Sequence, residues 1–308
     1  MHNSLGDYLM TNGKTKIRVA IITTPSSISS VHYLVKNLNV TGIIIDWGER
    51  GKKRKSPKTA IYDRIITLKN SEGYKGLSMA IINKIFKKNI FNDKMHRAIK
   101  AEKKFFQTLD NLFFGYPQLI NKLDLHYFIT FEQLSNYYDI PVQYVNNIND
   151  EIAVSKLKEW DVDLGIIYGG RIIKPHILEI PKLGIINKHS SILPKHRGLA
   201  SEYWCLYYED FESLGVSIHF VEPGLDNGAI IVQKKMKFEK KDTPSTLRIK
   251  SDLIGREAMV EAVSMIEETG TRGTSQNEEL ATKNLRPTIE TDRELYKKLP
   301  MLWDKYGE

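Results

Sequence analysis

The chain is poor in cysteine and has no long apolar run. Cys205 is the single cysteine among 308 residues, which excludes an intrachain disulfide and a cysteine-based zinc cluster. No apolar stretch approaches the roughly 18 residues that a membrane helix needs, and the N-terminus lacks the apolar block of a signal peptide. We therefore expect a cytoplasmic protein without a membrane partner, and residues 1–15 are predicted to form a flexible tail.

Glycine is absent from the loop Thr24–Ser30, which follows the first predicted strand. This absence excludes both the dinucleotide fingerprint and the P-loop. The loop could still hold a phosphate at a helix N-terminus, although a capped helix start is the simpler interpretation. A nucleophile elbow of the type Gly-x-Ser-x-Gly is also missing, and Cys205 lies in an apolar, helix-like run. These absences favour direct transfer between two bound substrates over a covalent intermediate.

Basic residues are in excess, with a formal net charge of +8. Such a charge allows an anionic ligand or a nucleic acid. Part of it comes from the run Lys52–Lys55, which could be a nucleic-acid patch or a localisation signal. Because Gly51 and Pro57 flank the run, we interpret it as a solvated loop, and no nucleic-acid partner is expected.

Apolar runs of strand length alternate with helix-like segments. The predicted strands are Lys16–Thr23, Thr41–Asp46, Pro141–Val145, Asp163–Tyr168, Leu183–Asn187, Gly215–Val221 and Ala229–Gln233. This pattern predicts an α/β fold with a doubly wound, mostly parallel Rossmann-like sheet. Residues 74–138 are charged, aromatic and helix-like, and we interpret them as a helical insertion. Residues 241–308 predict a helix that begins near Pro244, followed by an extended arm through which a homodimer could form.

An amide, an imidazole and a carboxylate are the candidate chemical groups. Asn187 and His189 lie at the end of a predicted strand, where open parallel sheets bind ligands, and Asp226 lies in a turn between two later strands. A histidine can accept a proton, an asparagine amide can donate to an oxyanion, and a carboxylate can orient the imidazole. Asp226-Asn227-Gly228 is also a common hairpin turn, and His189 could be a structural histidine.

Four motifs together resemble the folate-dependent formyltransferases. They are Asn187-Lys188-His189, Ser191-Ile192-Leu193-Pro194-Lys195-His196-Arg197-Gly198, the strand residue His219, and Asp226-Asn227-Gly228. The resemblance covers about residues 141–266 well. It implies that residues 16–240 form the catalytic domain. Lys188 and Ser190 depart from the family pattern, which usually has an apolar residue and a proline or small residue there.

The resemblance implies N10-formyltetrahydrofolate as formyl donor, an amine as acceptor, and no metal. Carried over, His189 is the general base, Asn187 polarises the formyl group and holds the oxyanion, and Asp226 orients His189. The residues that the resemblance assigns to folate are Tyr168, Gly169, Gly170, Arg171, Ile172, Leu193, Glu222 and Leu225. Those assigned to the acceptor are Ser191, Lys195, Arg197 and His219.

The acceptor predicted from the sequence is a nucleotide-linked amino sugar of glycan or lipopolysaccharide biosynthesis, with Lys195 and Arg197 holding its diphosphate. A hydroxyornithine-type amine is the alternative. Glycinamide ribonucleotide is disfavoured because Thr24–Ser30 lacks a glycine-rich phosphate loop. Methionyl-tRNA is disfavoured because the largely helical stretch after Asp226 is expected to leave no room for the family's oligonucleotide-binding barrel. Outside catalysis, the chain could be a folate- or nucleotide-binding protein on the same fold.

Overall fold

A single sheet of seven strands organises the chain. The computed structural model describes residues 14–48 and 130–308. The strands of this sheet are β1 (Val19–Thr23), β2 (Val40–Asp46), β3 (Val142–Val145), β4 (Leu164–Tyr168), β5 (Ile185–His189), β7 (Gly215–Phe220) and β8 (Ile230–Lys235). Their spatial order is β3-β2-β1-β4-β5-β7-β8. Strands β1 to β5 pair in parallel, whereas β7 is antiparallel to both β5 and β8. The predicted mostly parallel Rossmann-like sheet is confirmed.

Helices cover both faces of the sheet. They are α1 (Ile28–Asn37), α2 (Phe131–Tyr138), α3 (Glu151–Glu159), α4 (Pro175–Leu178), α5 (Ser201–Tyr207), α6 (Pro244–Thr269) and α7 (Ile289–Tyr306). Successive strand residues point to opposite faces, so Ile21 packs into the apolar layer with α1, α2 and α6, while Ile22 packs into the layer with α3 and α4. This double burial explains why β1 is a continuous apolar run.

Three predicted segments fall wholly or largely outside the described residues. They are the first part of the tail, the basic run Lys52–Lys55 and most of the insertion predicted at residues 74–138. The end of that insertion is described. It forms α2, whose residues Phe131 and Leu134 are buried in the same apolar layer as α1.

Helix α6 begins and ends where its sequence signals predict. Thr243 and Thr246 form a reciprocal capping box, and Pro244 occupies the first turn. At the other end Gly270 takes a left-handed conformation, and its N–H donates to the carbonyl oxygen of Ile266, as is common at helix C-termini. Within residues 14–48 and 130–308, no helix is long and apolar enough to cross a membrane.

The C-terminal region differs from the prediction of a wholly extended arm. Ile289–Tyr306 forms the 18-residue helix α7, which Thr288 caps. Its residues Leu295, Leu299 and Leu302 are buried in an apolar cluster with α5, and this burial is the reason the segment is helical. Only residues 274–285, hereafter the arm, are largely extended. The arm contains β9 (Lys283–Asn284), which pairs in parallel with the short strand β6 (Arg197–Gly198).

Candidate active site

Asn187 and His189 lie at the carboxyl end of β5. Alternate strand residues share a face, so both side chains project from the same side of the sheet. The antiparallel register between β5 and β7 places Asn187 directly opposite His219. Asn187 Nδ2 is 3.4 Å from His219 Nε2. The sheet therefore brings together two of the predicted catalytic residues and one residue predicted to bind the acceptor.

Both nitrogens of the buried His189 imidazole face polar groups. Nε2 is 2.9 Å from the carbonyl oxygen of His196 and 3.1 Å from Ser201 Oγ. Because a carbonyl oxygen only accepts hydrogen bonds, Nε2 carries a proton. Nδ1 lies 3.5 Å from Asp226 Oδ2. In the neutral imidazole Nδ1 therefore holds the lone pair, and it is the atom that can accept a proton.

Asp226 occupies the predicted turn, and its carboxylate also faces His189. Its φ of 49° is left-handed, as a tight turn between β7 and β8 requires. Its carboxylate nevertheless points to the site, because Oδ2 accepts a hydrogen bond from the Gly198 N–H at 2.8 Å and faces His189. A carboxylate at this distance stabilises the imidazolium that forms when His189 accepts a proton.

His219 is held as a neutral imidazole. Its Nδ1 donates to the carbonyl oxygen of Phe220 at 2.7 Å, so Nε2 is free to accept from the Asn187 amide. Burial, followed by the neighbouring His189, lowers the pKa of His219 to about 4. Asp226 Oδ1, 3.8 Å away, acts in the opposite direction, but burial prevails. Near neutral pH, His219 and Asp226 are therefore neighbours that do not form an ion pair.

This arrangement suits acyl transfer between two bound molecules. Asn187 Nδ2 has two hydrogens, and with one directed at His219 the other can donate to a developing oxyanion. His189 Nδ1 can take a proton from an attacking amine, and Asp226 can stabilise the resulting charge. The buried thiol of Cys205 has a pKa raised far above its usual range by desolvation, so it is not a candidate nucleophile.

The loop after β4 carries most of the residues predicted to contact folate. Gly169 and Gly170 have φ values of 77° and 157° and are exposed. A side chain added at Gly170 would meet no atom within 4 Å, so there is open space over this backbone for a flat ring. The Arg171 side chain turns away and forms a two-point ion pair with Asp46, at 2.5 Å and 2.9 Å. Arg171 thus anchors the loop to the end of β2.

The remaining predicted folate residues are divided between core and surface. Tyr168 and Leu193 are buried, and the Tyr168 hydroxyl donates to the carbonyl oxygen of Asp252. Glu222 and Leu225 are exposed on the turn before Asp226, and Ile172 is exposed beyond the two glycines. Leu225 lies against Gly198, which brings this turn to the same edge as His189. Contact of these residues with folate stays a prediction.

Two residues predicted to bind the acceptor have structural partners instead. Ser191 is fully buried, and its Oγ donates to the carbonyl oxygen of Lys195, which closes the loop between them. Arg197 is 1% exposed, and its guanidinium binds Gln276 and Glu278 of the arm. The predicted contact of Arg197 with a diphosphate is therefore not supported by its position. Lys195 is half exposed, and its Nζ lies 3.0 Å from Asp210.

Four residues around the site were not found from the sequence. Ser201 and the backbone of His196 contact His189. Asn284 binds His196 Nδ1 at 2.9 Å, and Gln276 joins Arg197 to the turn that contains Asp226. Neither Gln276 nor Asn284 stands in a motif, and both are far from His189 in sequence. Ser201 lies just beyond the motif that ends at Gly198 and could have been included on that ground.

Among the described residues, no cluster of three histidine, cysteine or acidic side chains is arranged to hold a metal ion.

The family comparison matches the part of the chain that contains this site. Residues 129–263 match the family model described as Formyl transferase. A methionyl-tRNA formyltransferase of Thermodesulfovibrio yellowstonii is 34% identical over 125 residues, 40% of this chain and 40% of that protein. Another from Prochlorococcus marinus is 39% identical over 116 residues, 37% of this chain and 35% of that protein. The chain thus matches these two curated relatives over less than half of their length.

Solved structures extend the likeness in fold over more of the chain. A phosphoribosylglycinamide formyltransferase from Anaplasma phagocytophilum superposes with a TM-score of 0.51 and 18% identity. The superposition covers 88% of this chain and 100% of that protein. At this identity the comparison supports the fold alone. It agrees with the seven-stranded sheet described above.

Proposed function

We propose that the chain, whose residues 129–263 match the formyl transferase family model, transfers a formyl group from N10-formyltetrahydrofolate to a primary amine. The observation that carries the proposal is the convergence of Asn187, His189 and Asp226 at the carboxyl end of β5, inside the matched segment. His219 and Gly198 hold the side chains of Asn187 and Asp226.

Each step of the transfer has a residue to support it. N10-formyltetrahydrofolate supplies an activated formyl carbon, with Gly169 and Gly170 offering the open backbone for its ring. As the amine nitrogen bonds to that carbon, the free N–H of Asn187 donates to the carbonyl oxygen, which becomes an oxyanion. His189 Nδ1 takes the proton that the amine loses. The bond between the formyl carbon and N10 then breaks, and the proton passes from His189 to N10. The products are tetrahydrofolate and a formamide.

For the acceptor, we propose the amine of a nucleotide-linked amino sugar. The loop after β1 supports this choice over glycinamide ribonucleotide, because it has no glycine and forms a short 3-10 helix at Pro25–Ser27. Lys195 is the remaining candidate for a phosphate contact, since the arm occupies Arg197. Methionyl-tRNA is the second candidate acceptor, because the curated relatives described above are methionyl-tRNA formyltransferases.

The proposal is tested by following tetrahydrofolate release from N10-formyltetrahydrofolate. The acceptor panel contains nucleotide-linked 3- and 4-amino sugars, methionyl-tRNA and hydroxyornithine. We expect release that depends on an amino sugar in the wild-type protein and is lost in His189→Ala. The control variant is His176→Ala, because His176 lies on α4, outside the strand and the turn that carry Asn187, His189 and Asp226, and binds the carbonyl oxygen of Asn149. Release with methionyl-tRNA alone would replace the sugar by the second candidate. Absence of release with every acceptor would contradict formyl transfer to these amines.

A further inference from the structure

The arm contacts the chain on two sides of the candidate site, next to the Asp226 turn and along residues 197–199. At its start Thr274 forms a β-bridge with Ile230, just after the Asp226 turn. Further along, the Arg197 N–H donates to the carbonyl oxygen of Thr282, and the Leu199 N–H donates to that of Asn284. The arm is therefore hydrogen-bonded to β8 on one side and to the strand β6 on the other.

Gln276 joins these two sides through its side-chain amide. Its Oε1 accepts from Arg197 Nε at 3.2 Å and from Arg197 Nη2 at 2.7 Å. Its Nε2 donates to the carbonyl oxygens of Asp226 and Gly228, both at 2.8 Å. An amide side chain has two N–H donors and an oxygen with two lone pairs, so all the hydrogen-bonding capacity of Gln276 is used.

Arg197 gives Gln276 a fixed support. The guanidinium is buried and also binds both carboxylate oxygens of Glu278, at 2.9 Å and 2.7 Å. Planar two-point binding of this kind restricts the guanidinium in orientation as well as in distance. The residue after it, Gly198, donates its N–H to Asp226 Oδ2. Arg197 and Gly198 thus connect to Asp226 twice, through Gln276 to its main chain and directly to its carboxylate.

Within the turn that carries Asp226, Asn227 Nδ2 donates to the carbonyl oxygen of Pro223. Residues 222–225 are exposed, and Asp226 itself has a left-handed backbone conformation. Gln276 and Gly198 join this turn to Arg197 and β6, so we expect the position of the Asp226 carboxylate beside His189 Nδ1 to depend on them. A displacement of about 1 Å in a catalytic constellation can lower turnover by about 100-fold.

We propose that Gln276 is a positioning residue for formyl transfer, which sets the place of the Asp226 carboxylate relative to His189 by joining the Asp226 turn to Arg197. The inference rests on the proposed function for its kinetic consequence. Its structural part is that the Gln276 side chain supports the Asp226 turn. This part does not depend on the reaction.

The kinetic test compares Gln276→Met with the wild-type full chain. Methionine keeps the length of the side chain but removes both pairs of hydrogen bonds. We expect kcat for formyl transfer to fall by about 10- to 100-fold, while KM for the donor and the acceptor changes by less than about 3-fold, because Gln276 has no role in binding them. Glu279→Gln is the matched control, since Glu279 is an exposed residue of the same arm. A folded Gln276→Met protein with wild-type kcat would overturn the proposal.

A second measurement needs no substrate. The amide proton of Gly198 reports its hydrogen bond to Asp226, through its chemical shift and its exchange rate with solvent. We expect Gln276→Met to shift this resonance and to speed its exchange by at least about 10-fold, whereas Glu279→Gln leaves both unchanged. An unchanged Gly198 amide in Gln276→Met would show that the turn holds without Gln276, and the proposal would be wrong.

Gln276→Glu provides a second variant in case the methionine variant does not fold. Its carboxylate can keep the contact with Arg197 but cannot donate to the carbonyl oxygens of Asp226 and Gly228. The same loss of kcat and the same change at Gly198 are expected, and wild-type values of either would again overturn the proposal. If the wild-type protein transfers no formyl group, the proposed function fails, and the Gly198 amide still decides whether Gln276 holds the turn.

Discussion

Asn187 lies directly opposite His219 across the antiparallel pair of β5 and β7, and its side-chain nitrogen is 3.4 Å from His219 Nε2. The contact requires a neutral His219, because a protonated Nε2 would have no lone pair for the Asn187 amide. Burial provides that state by lowering the pKa of His219 from its ordinary value of 6.5 to about 4. The orientation of the Asn187 amide therefore depends on a histidine that stays uncharged.

The low pKa of His219 predicts how stability changes with pH. Between about pH 6.5 and pH 4 the unfolded chain binds a proton at this residue and the folded chain does not, so the free energy of unfolding decreases as pH falls through that window. Burial also lowers the pKa of His196, which adds to the same trend. We expect His219→Gln to show a smaller decrease. Urea denaturation at a series of pH values measures it, with His176→Gln as control. Equal slopes in the wild type and His219→Gln would contradict the prediction.

The proposed roles of His189 and Asp226 predict two different losses of activity. His189→Ala removes the proton acceptor and is expected to lower turnover by at least about 100-fold.

Asp226→Asn keeps an oxygen that can accept from the Gly198 N–H but loses the charge facing His189, so turnover should fall by about 10- to 100-fold while the fold is retained. Steady-state kinetics and thermal denaturation check both variants. If Asp226→Asn lowered stability and left turnover intact, Asp226 would be a turn residue only.

The ion pair between Arg171 and Asp46 predicts a large effect on stability. Asp46 is 3% exposed, and Arg171→Met would leave its carboxylate buried without its cationic partner. Breaking a buried pair in this way costs about 3–5 kcal/mol of unfolding free energy. Lys235→Met is the comparison, because Lys235 pairs with Glu212 and both side chains are exposed, where a pair contributes about 0–1 kcal/mol. Urea denaturation of both variants measures the difference, and similar losses would contradict the prediction.

The sequence predicts the sheet and the catalytic motif more completely than the supports of the site. Buried strands such as β1 are continuous apolar runs, so they can be predicted from the local sequence alone. The contact between Asn187 and His219 depends on strand order and register, which no local sequence pattern predicts. Helix α7 was missed because it is polar and contains Pro300. The spacing of Leu295, Leu299 and Leu302 fits one helical face and was the available signal.

Lys188, one of the departures from the family motif, is explained by its neighbours. It projects from the opposite face of β5 to His189 and is 7% exposed. Its Nζ lies 2.8 Å from Asp252 Oδ1 and 3.1 Å from Ser190 Oγ, so Ser190, the second departure, is a partner of the first. The aliphatic part lies over Gly255 of α6, where an added Cβ would be 2.7 Å from Lys188 Cε. The lysine thus packs against α6 at a residue that has no side chain.

This packing predicts that the effect of Gly255→Ala depends on residue 188. In the wild-type background the new methyl group meets a buried side chain that Asp252 and Ser190 hold in place, and such overpacking costs about 1–3 kcal/mol. In a Lys188→Ala background the collision is absent, and the alanine should instead stabilise α6 by up to about 1 kcal/mol through its higher helix propensity. A double-mutant cycle of unfolding free energies measures the coupling. Additive effects of the two substitutions would mean that Lys188 can move aside, and that Gly255 is not required by the lysine.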